Sequence, residues 1–452
     1  IETQLAHAAM SREELRDPAA SYNPMAMSEL AAEYPAVDLR RYFDRQGITD
    51  IDTLIVGQPK VLAAVDSILA NASEQALHDY LTAMYLDGAA DYLSDDFVAA
   101  KFGLTRAITG VEEPMPRWKR AIAVPNALLG EAVGELYVEK YFPERSKTKM
   151  LELVGNLRKA LGMHIKGLTW MSDTTKTRAL EKLDAFTVKV GYPDKWRDYS
   201  ALVIDPRQSY WDNIKRAIVN EQKYNLAQWG KPVDRDRWYM TPQTVNAYYN
   251  PTTNEICFPA GILQPPYFNP DADPAENYGA IGVVIGHEMT HGFDDQGSQF
   301  DKDGNFANWW TPADKEKFTG LTDRLAAQFD RIIVLGDTHA NGRLTLGENI
   351  ADQGGLRVAY TAYHMSLEAN PESDKAIDGF TPDQRFYLAY ANVWAGNIRD
   401  EEILNRTKTD PHSLGRWRVN GTLRNLEQFF DAFSVKEGDA MWLAPSERVI
   451  IW

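Results

Sequence analysis

Apolar residues recur at helical spacing through roughly the first two hundred positions of the chain. Two such series are Leu62, Val65 and Leu69, and then Leu77, Leu81, Met84 and Tyr85. Spacings of three and four residues place apolar side chains on one face of a helix. The pattern therefore predicts a mostly helical region, and we expect these faces to lie in a core.

The pattern changes to short β-prone runs after Asp234. The segments VNAYYNP (Val245 to Pro251) and EICFPAG (Glu255 to Gly261) are separated only by TTN, which predicts a hairpin. Helical spacing resumes after Pro274. The predicted fold class is therefore mainly α with a small β-sheet (α+β).

Glycine and proline interrupt the helical pattern twice before the β-prone segments. The interruptions lie in VKVGYPDKW (Val188 to Trp196) and VIDPRQSYW (Val203 to Trp211). Such breaks are typical of a crossover or a domain boundary. We therefore predict a mostly helical domain over residues 1–208 and a second domain over residues 209–452.

The segment VVIGHEMTHGFDDQG, Val283 to Gly297, carries the strongest chemical signal in the sequence. On a helix, His287 and His291 lie four residues apart on one face, so their rings can converge on one metal ion. Two neutral imidazoles suit Zn²⁺, and Glu288 beside them could take a proton from an attacking water. The alternative is a chance match of ordinary helix histidines.

A catalytic zinc site needs a third protein ligand. Gly297 stands where the HExxHxxGxxH pattern requires a histidine, so a carboxylate from another helix is the remaining route. TLGENIADQGGL (Thr345 to Leu356) offers Glu348 as ligand, with Asp352 one turn later to accept the outward N–H of a ligating imidazole. We expect Gly354 and Gly355 to end this helix. The alternative is a pair of solvated helix carboxylates.

Four motifs together resemble one known family. HEMTHGFDDQG, GENIADQGG, VNAYY and FPAGILQPPYF, from roughly Asp17 to Trp452, look like the neprilysin family of zinc metallopeptidases, which includes the bacterial oligopeptidase O group. The resemblance implies a thermolysin-like zincin catalytic domain, with a helical domain that encloses the active site. It also implies one zinc ion per chain, with the ligands His287, His291 and Glu348, and with Glu288 as general base.

The resemblance assigns further residues that spacing alone does not. Asn246 and Ala247 would pair with the substrate backbone as an added strand. His412 would donate to the oxyanion, and Arg418 would hold the substrate carbonyl. The residues implied for an apolar specificity pocket are Ile262, Tyr267, Val284, Val393 and Trp394. The alternative for these residues is ordinary core packing, and for Arg418 a surface ion pair.

Composition narrows the possible partners. The net charge of −16 disfavours nucleic acid, and no apolar run is long enough to span a membrane. Cys257 is the only cysteine, which excludes intrachain disulfides and cysteine-based zinc sites. The family resemblance and the near absence of cysteine together predict a bacterial protein that is periplasmic or secreted.

The predicted function is a zinc-dependent endopeptidase that hydrolyses short oligopeptides on the amino side of hydrophobic residues. One alternative is a catalytically silent, zinc-containing peptide-binding protein, which would not need Glu288. Another is a zinc aminopeptidase, which is disfavoured because the sequence lacks a GxMEN-type segment for holding a free amine.

The resembling family also carries a further segment before the region that matches Asp17. Helical faces meant for that segment would be exposed without it. We therefore expect the active species to contain a second polypeptide, most simply the N-terminal portion of the same precursor.

Overall fold

The computed structural model describes residues 1–369, 371 and 375–452, and these are mainly helical with small sheets, which confirms the predicted fold class. The α-helices are α1 Glu2–Ala8, α2 Met27–Glu33, α3 Leu39–Arg45, α4 Pro59–Asn71, α5 Glu74–Ala89, α6 Asp95–Thr109, α7 Arg117–Leu128, α8 Gly130–Tyr141, α9 Glu144–Gly167, α10 Asp173–Asp184, α11 Tyr210–Leu226, α12 Pro274–Asn277, α13 Val283–His291, α14 Pro312–Asp330, α15 Leu346–Ala369, α16 Pro382–Val393, α17 Asp400–Thr409, α18 Gly415–Leu423 and α19 Glu427–Phe433. The strands are β1 Pro24–Ala26, β2 Thr53–Ile55, β3 Thr187–Gly191, β4 Tyr248–Asn250, β5 Glu255–Pro259, β6 Ile333–Leu335 and β7 Thr338–His339.

In the part of the chain that the structure describes, no helix combines the length and the apolar character that crossing a membrane requires.

The chain divides into two compact units at positions other than the boundary predicted near residue 208. The first unit contains residues 1–124 and 198–234, and the second contains residues 125–197 and 235–452. The reason lies in the segment that the glycine and proline pattern marked as a break. It forms β3, which pairs in parallel with β5, so residues 187–191 belong to the sheet of the second unit.

The first unit has a small core of its own. It is formed by the buried side chains Met27, Leu30, Tyr34, Ile48 and Ile51. The apolar series on α5 does not join it, and the prediction that this series is buried is wrong: Leu81, Met84 and Tyr85 are exposed. Periodicity shows that one face of a helix is apolar, but it does not show what covers that face.

The second unit holds the larger core. Helix α9 buries a face at helical spacing, and that face consists of Met150, Leu153, Val154, Leu157, Ala160, Leu161 and Ile165. It packs against α15 and beside β3. Both long helices also contact α13, which carries the predicted zinc motif.

The predicted hairpin is confirmed. Strands β4 and β5 pair antiparallel, with Tyr248 opposite Cys257 and Asn250 opposite Glu255. The sheet order is β3-β5-β4, so β4 is an edge strand of this sheet. Asn246 and Ala247 directly precede that edge.

Helices α13 and α15 cross in backbone contact, because three glycines lie at the crossing. A Cβ on Gly355 would lie 2.5 Å from the backbone nitrogen of His287, and one on Gly286 would lie 2.7 Å from the carbonyl oxygen of Gly355. The third glycine, Gly354, faces Thr290. The prediction that Gly354 and Gly355 end the helix is therefore wrong, since α15 continues to Ala369. These glycines permit close approach between helices.

Replacing Gly355 with Ala should destabilise the second unit by at least about 2 kcal/mol, because the new methyl group would meet backbone atoms that cannot rotate away. The matched control is Gly320→Ala in α14, where a Cβ would meet nothing within 4 Å. That change should stabilise the helix by about 0.5–1 kcal/mol. Chemical unfolding of both variants would measure the difference. Equal unfolding midpoints for Gly355→Ala and the parent would contradict the crossing as described.

Candidate active site

Helix α13 directs two imidazoles toward one point. The Nε2 atoms of His287 and His291 lie 3.0 Å apart, and the rings are nearly perpendicular. A π-helical turn, Tyr278–Gly282, directly precedes α13. One potential ligand atom from each of His287, Glu288 and His291 lies within 4.8 Å of the others. The predicted motif therefore forms a cluster that a single ion could bridge.

Glu348, which lies in the first turn of α15, completes the cluster. Its Oε2 atom lies 3.2 Å from Nε2 of His287, and its Oε1 atom lies 3.6 Å from Nε2 of His291. Glu288 is also close, but Glu348 contacts the inward nitrogen of both histidines. Glu348 is therefore the better third ligand.

The outward nitrogens of both imidazoles contact carboxylates. Nδ1 of His287 lies 2.8 Å from Oδ1 of Asp352, and Nδ1 of His291 lies 2.6 Å from Oδ2 of Asp294. An N–H donated outward fixes the tautomer and leaves Nε2 free to ligate. The spacing of GENIAD predicts the first contact. The role of Asp294 was not predicted, although its position three residues after His291 could have indicated it.

The charges of the cluster suit a divalent cation. Burial alone would raise the pKa of Glu348, but the His291 and His287 imidazoles hold it well below its usual range. Burial would likewise lower the pKa of His291, but the carboxylates of Glu348 and Asp294 hold it well above. In addition, Oε2 of Glu348 is buried and makes no hydrogen bond of good geometry to the described residues. Two inward imidazoles and an unsatisfied carboxylate oxygen are a donor set that fits Zn²⁺.

Glu288 is buried beside the cluster, with 6% of its surface exposed. Burial raises the pKa of its carboxyl group, and the neighbouring imidazoles of His287 and His291 act in the opposite direction. A raised carboxyl pKa brings the group closer to the range in which a general base works.

The loop before α18 brings His412 to the same place. Its Nε2 atom lies 3.4 Å from Oε2 of Glu348, while Nδ1 lies 2.8 Å from Oδ1 of Asp410. Next to it, the hydroxyl of Ser413 donates to Oδ1 of Asn349 at 2.7 Å, which ties this loop to α15. Asp410 was not predicted, although a carboxylate two residues before a histidine could have suggested it.

Arg418 on α18 binds Asp352 with two nitrogens. Nε donates to Oδ2 at 2.8 Å, and a terminal nitrogen donates to Oδ1 at 2.6 Å. The guanidinium carbon lies 3.8 Å from the ring centre of Trp394. Arg418 is therefore a buried ion-pair partner of Asp352 that also faces the cavity, and its predicted contact with a substrate carbonyl stays a prediction.

A cavity of about 1300 Å³ opens in front of the cluster. The residues predicted to bind substrate all line it: Asn246, Ala247, Ile262, Tyr267, Val284, Val393 and Trp394. His287, Glu288, His291, Glu348, Asp352, His412 and Arg418 line it as well. The structure thus brings all the predicted site residues to one cavity of the second unit.

Comparison with known proteins identifies the family. Two models described as peptidase family M13 match residues 1–193 and 246–449. Neutral endopeptidase of Lactobacillus helveticus is 34% identical over 453 residues, and the match covers 100% of this chain and 68% of that protein. The chain belongs to peptidase family M13.

Other M13 relatives extend the comparison. Neprilysin-3 of Drosophila melanogaster is 35% identical, and the chain covers only 60% of that protein. The solved zinc metalloprotease ZMP1 of Mycobacterium tuberculosis, in complex with an inhibitor, is 42% identical with a TM-score of 0.95, over 100% of this chain and 69% of that one. This likeness confirms the predicted thermolysin-like fold, and with the donor set above it makes zinc the metal of this M13 chain.

Proposed function

We propose that this chain carries the active site of a zinc-dependent endopeptidase that cleaves short oligopeptides on the amino side of hydrophobic residues. The observation that supports it most strongly is the buried Glu288 beside the zinc ligands at the wall of the cavity. A zinc site that is only structural does not need this carboxylate, and burying one is costly. The position suits a base that acts on an attacking water.

The residues of the site divide the reaction between them. When bound by His287, His291 and Glu348, zinc would supply Lewis acidity to the scissile carbonyl and acidify the attacking water. Glu288 takes the proton from that water. His412 donates from Nε2 to the oxygen on which negative charge develops, and Asp410 orients its ring through Nδ1.

The edge of the sheet gives the substrate its orientation. β4 pairs on one side with β5, and Asn246 and Ala247 lie beside that edge at the cavity wall. An extended peptide can add there as a further strand, because its backbone groups match those of the edge. Such a substrate must be unfolded and flexible, which favours oligopeptides over folded proteins.

Cleavage-site mapping tests the proposal. The zinc-loaded chain would be incubated with a mixed library of unstructured peptides, and the products identified by mass spectrometry. We expect internal cuts before hydrophobic residues, abolished by a chelator and restored by zinc. Stepwise loss of amino-terminal residues would instead indicate an aminopeptidase, and peptides that bind but stay intact would indicate a silent binding protein.

Replacing Ile262 with Ala should change substrate preference, because this residue is buried in the apolar part of the cavity wall. We expect the ratio of cleavage before large and small hydrophobic residues to shift about tenfold toward the large ones. The ratio does not depend on how much enzyme is folded. Leu388→Ala, an exposed position on α16, is the control. An identical library profile would place Ile262 in the core only. Trp394 is less suitable for this test, because its ring also packs against the guanidinium group of Arg418.

We also propose a bacterial periplasmic or secreted location, for which the near absence of cysteine is the support. Cell fractionation of the native source would decide it.

The second polypeptide expected from the family has no support in the comparisons and stays a prediction. Native mass spectrometry of active material, followed by denaturation, would show whether an added chain is released.

A further inference from the structure

Lys182, on α10, has a buried ammonium group that plays no part in the proposed reaction. The residue is 1% exposed. Its Nζ donates to the carbonyl oxygens of Gly297 and Phe300, both at 2.7 Å. Its own carbonyl accepts from the side-chain amide of Asn254, so main chain and side chain are both fixed.

Three aromatic rings surround the ammonium. Its nitrogen lies 5.8 Å from the ring centres of Tyr249 and Phe293 and 5.9 Å from that of Trp309. Burial lowers the pKa of Lys182 to about 7, while the carboxylates of Asp294 and Asp301 act in the opposite direction. Burying an amine costs free energy that an apolar side chain would not cost. Its position therefore calls for an explanation beyond packing.

The carbonyls that Lys182 holds belong to the turn that follows the zinc helix. Gly297 accepts from Lys182 through its carbonyl and donates its N–H to Oδ1 of Asp294 at 2.6 Å. The N–H of Gln296 donates to the same oxygen at 2.9 Å. The other oxygen of Asp294 is the one that contacts Nδ1 of His291. A continuous path of contacts thus runs from Lys182 through Gly297 and Asp294 to a zinc ligand.

We propose that Lys182 is a positioning residue for zinc binding, which holds His291 in its ligating orientation by fixing the turn at Gly297 that in turn holds the carboxylate of Asp294. The inference goes beyond the proposed peptidase function, because it concerns metal affinity and holds equally for a chain that binds zinc without cleaving peptides.

Zinc affinity of the full chain, measured by competition with a chromogenic chelator, tests the proposal without any peptide. Lys182→Met keeps most of the aliphatic stem and removes the donor. We expect zinc to bind about tenfold more weakly, the lower end of the usual effect of losing an outer partner of a metal ligand. The matched control is Lys176→Met on the same helix, whose Nζ donates to the carbonyl of Lys166 at the surface. Its zinc affinity should stay within about twofold of the parent's.

Double variants separate positioning from general stabilisation. In the Asp294→Asn background, Lys182→Met should weaken zinc binding by less than about a further twofold, because both changes break the same path of contacts. In the Asp352→Asn background, Lys182→Met should weaken zinc binding by its full factor of about ten, because Asp352 contacts His287 and not His291. Unchanged zinc affinity in Lys182→Met would overturn the proposal. So would an equal additional loss in both backgrounds, which would mean that Lys182 only stabilises the fold.

Circular dichroism of the zinc-free variants would check that they fold. If Lys182→Met does not fold, Lys182→Gln replaces it in both pairs of double variants. Gln keeps an N–H donor but removes the charge. The same non-additivity with Asp294→Asn is expected, and its absence counts against the proposal in the same way.

Discussion

Replacing Glu288 with Gln should lower kcat/KM for peptide hydrolysis by at least about a hundredfold, and by as much as about ten-thousandfold, while zinc stays near one per chain. The amide keeps the shape of the side chain but cannot accept the proton of the attacking water, and general base catalysis is typically worth 10²–10⁴. Metal content is retained because the ligand contacts of Glu348, His287 and His291 are untouched.

The comparison needs peptide kinetics and metal analysis on the same preparation. Glu276→Gln is the control, because it removes a carboxylate at an exposed position on α12, outside the cavity. It should leave kcat/KM and zinc content unchanged. Activity of Glu288→Gln within tenfold of the parent's would remove this residue from the role of base.

Replacing Glu348 with Gln should remove the metal itself. The carboxylate contributes the negative charge between two imidazoles, and it balances a divalent cation in a buried site. A neutral amide oxygen is a weaker zinc ligand, so we expect zinc to be lost on dialysis and hydrolysis to fall to background.

The control for this change lies at the other end of the same helix. Glu368→Gln is exposed in the last turn of α15 and should keep its zinc. Metal analysis after dialysis distinguishes the two variants. Stoichiometric zinc in Glu348→Gln would mean that another group completes the ligand set. Glu288 would be the candidate, because a potential ligand atom of Glu288 lies within 4.8 Å of those of both histidines.

The residues that the structure brings together in this cluster could be predicted because each half of the cluster is local. His287 and His291 share a face of one helix, and Glu348 and Asp352 share a face of another, so spacing of four residues specifies each pair. That the two pairs meet was implied by the family resemblance and is seen in the contact of Asp352 with His287.

The features that escaped prediction depend on what lies opposite them. Gly354 and Gly355 resemble a helix end in sequence, and only the presence of α13 against them makes them part of a crossing. The strand β3 resembled a break because its partner β5 lies far along the chain. Likewise, the apolar series ending at Tyr85 could not show whether another surface covers it.

The crossing of α13 and α15 has a consequence for protein engineering. Because the main chains meet at Gly286 and Gly355, the distance between the histidine pair and the carboxylate pair is set by the absence of side chains between the two helices. An HExxH helix transplanted alone into another scaffold would therefore carry the two histidines, but it would lack the close helix crossing that brings the Glu348 carboxylate to them. The smallest transferable unit is both helices with their glycines, and a library for a new metal should vary the ligands while keeping those glycines constant.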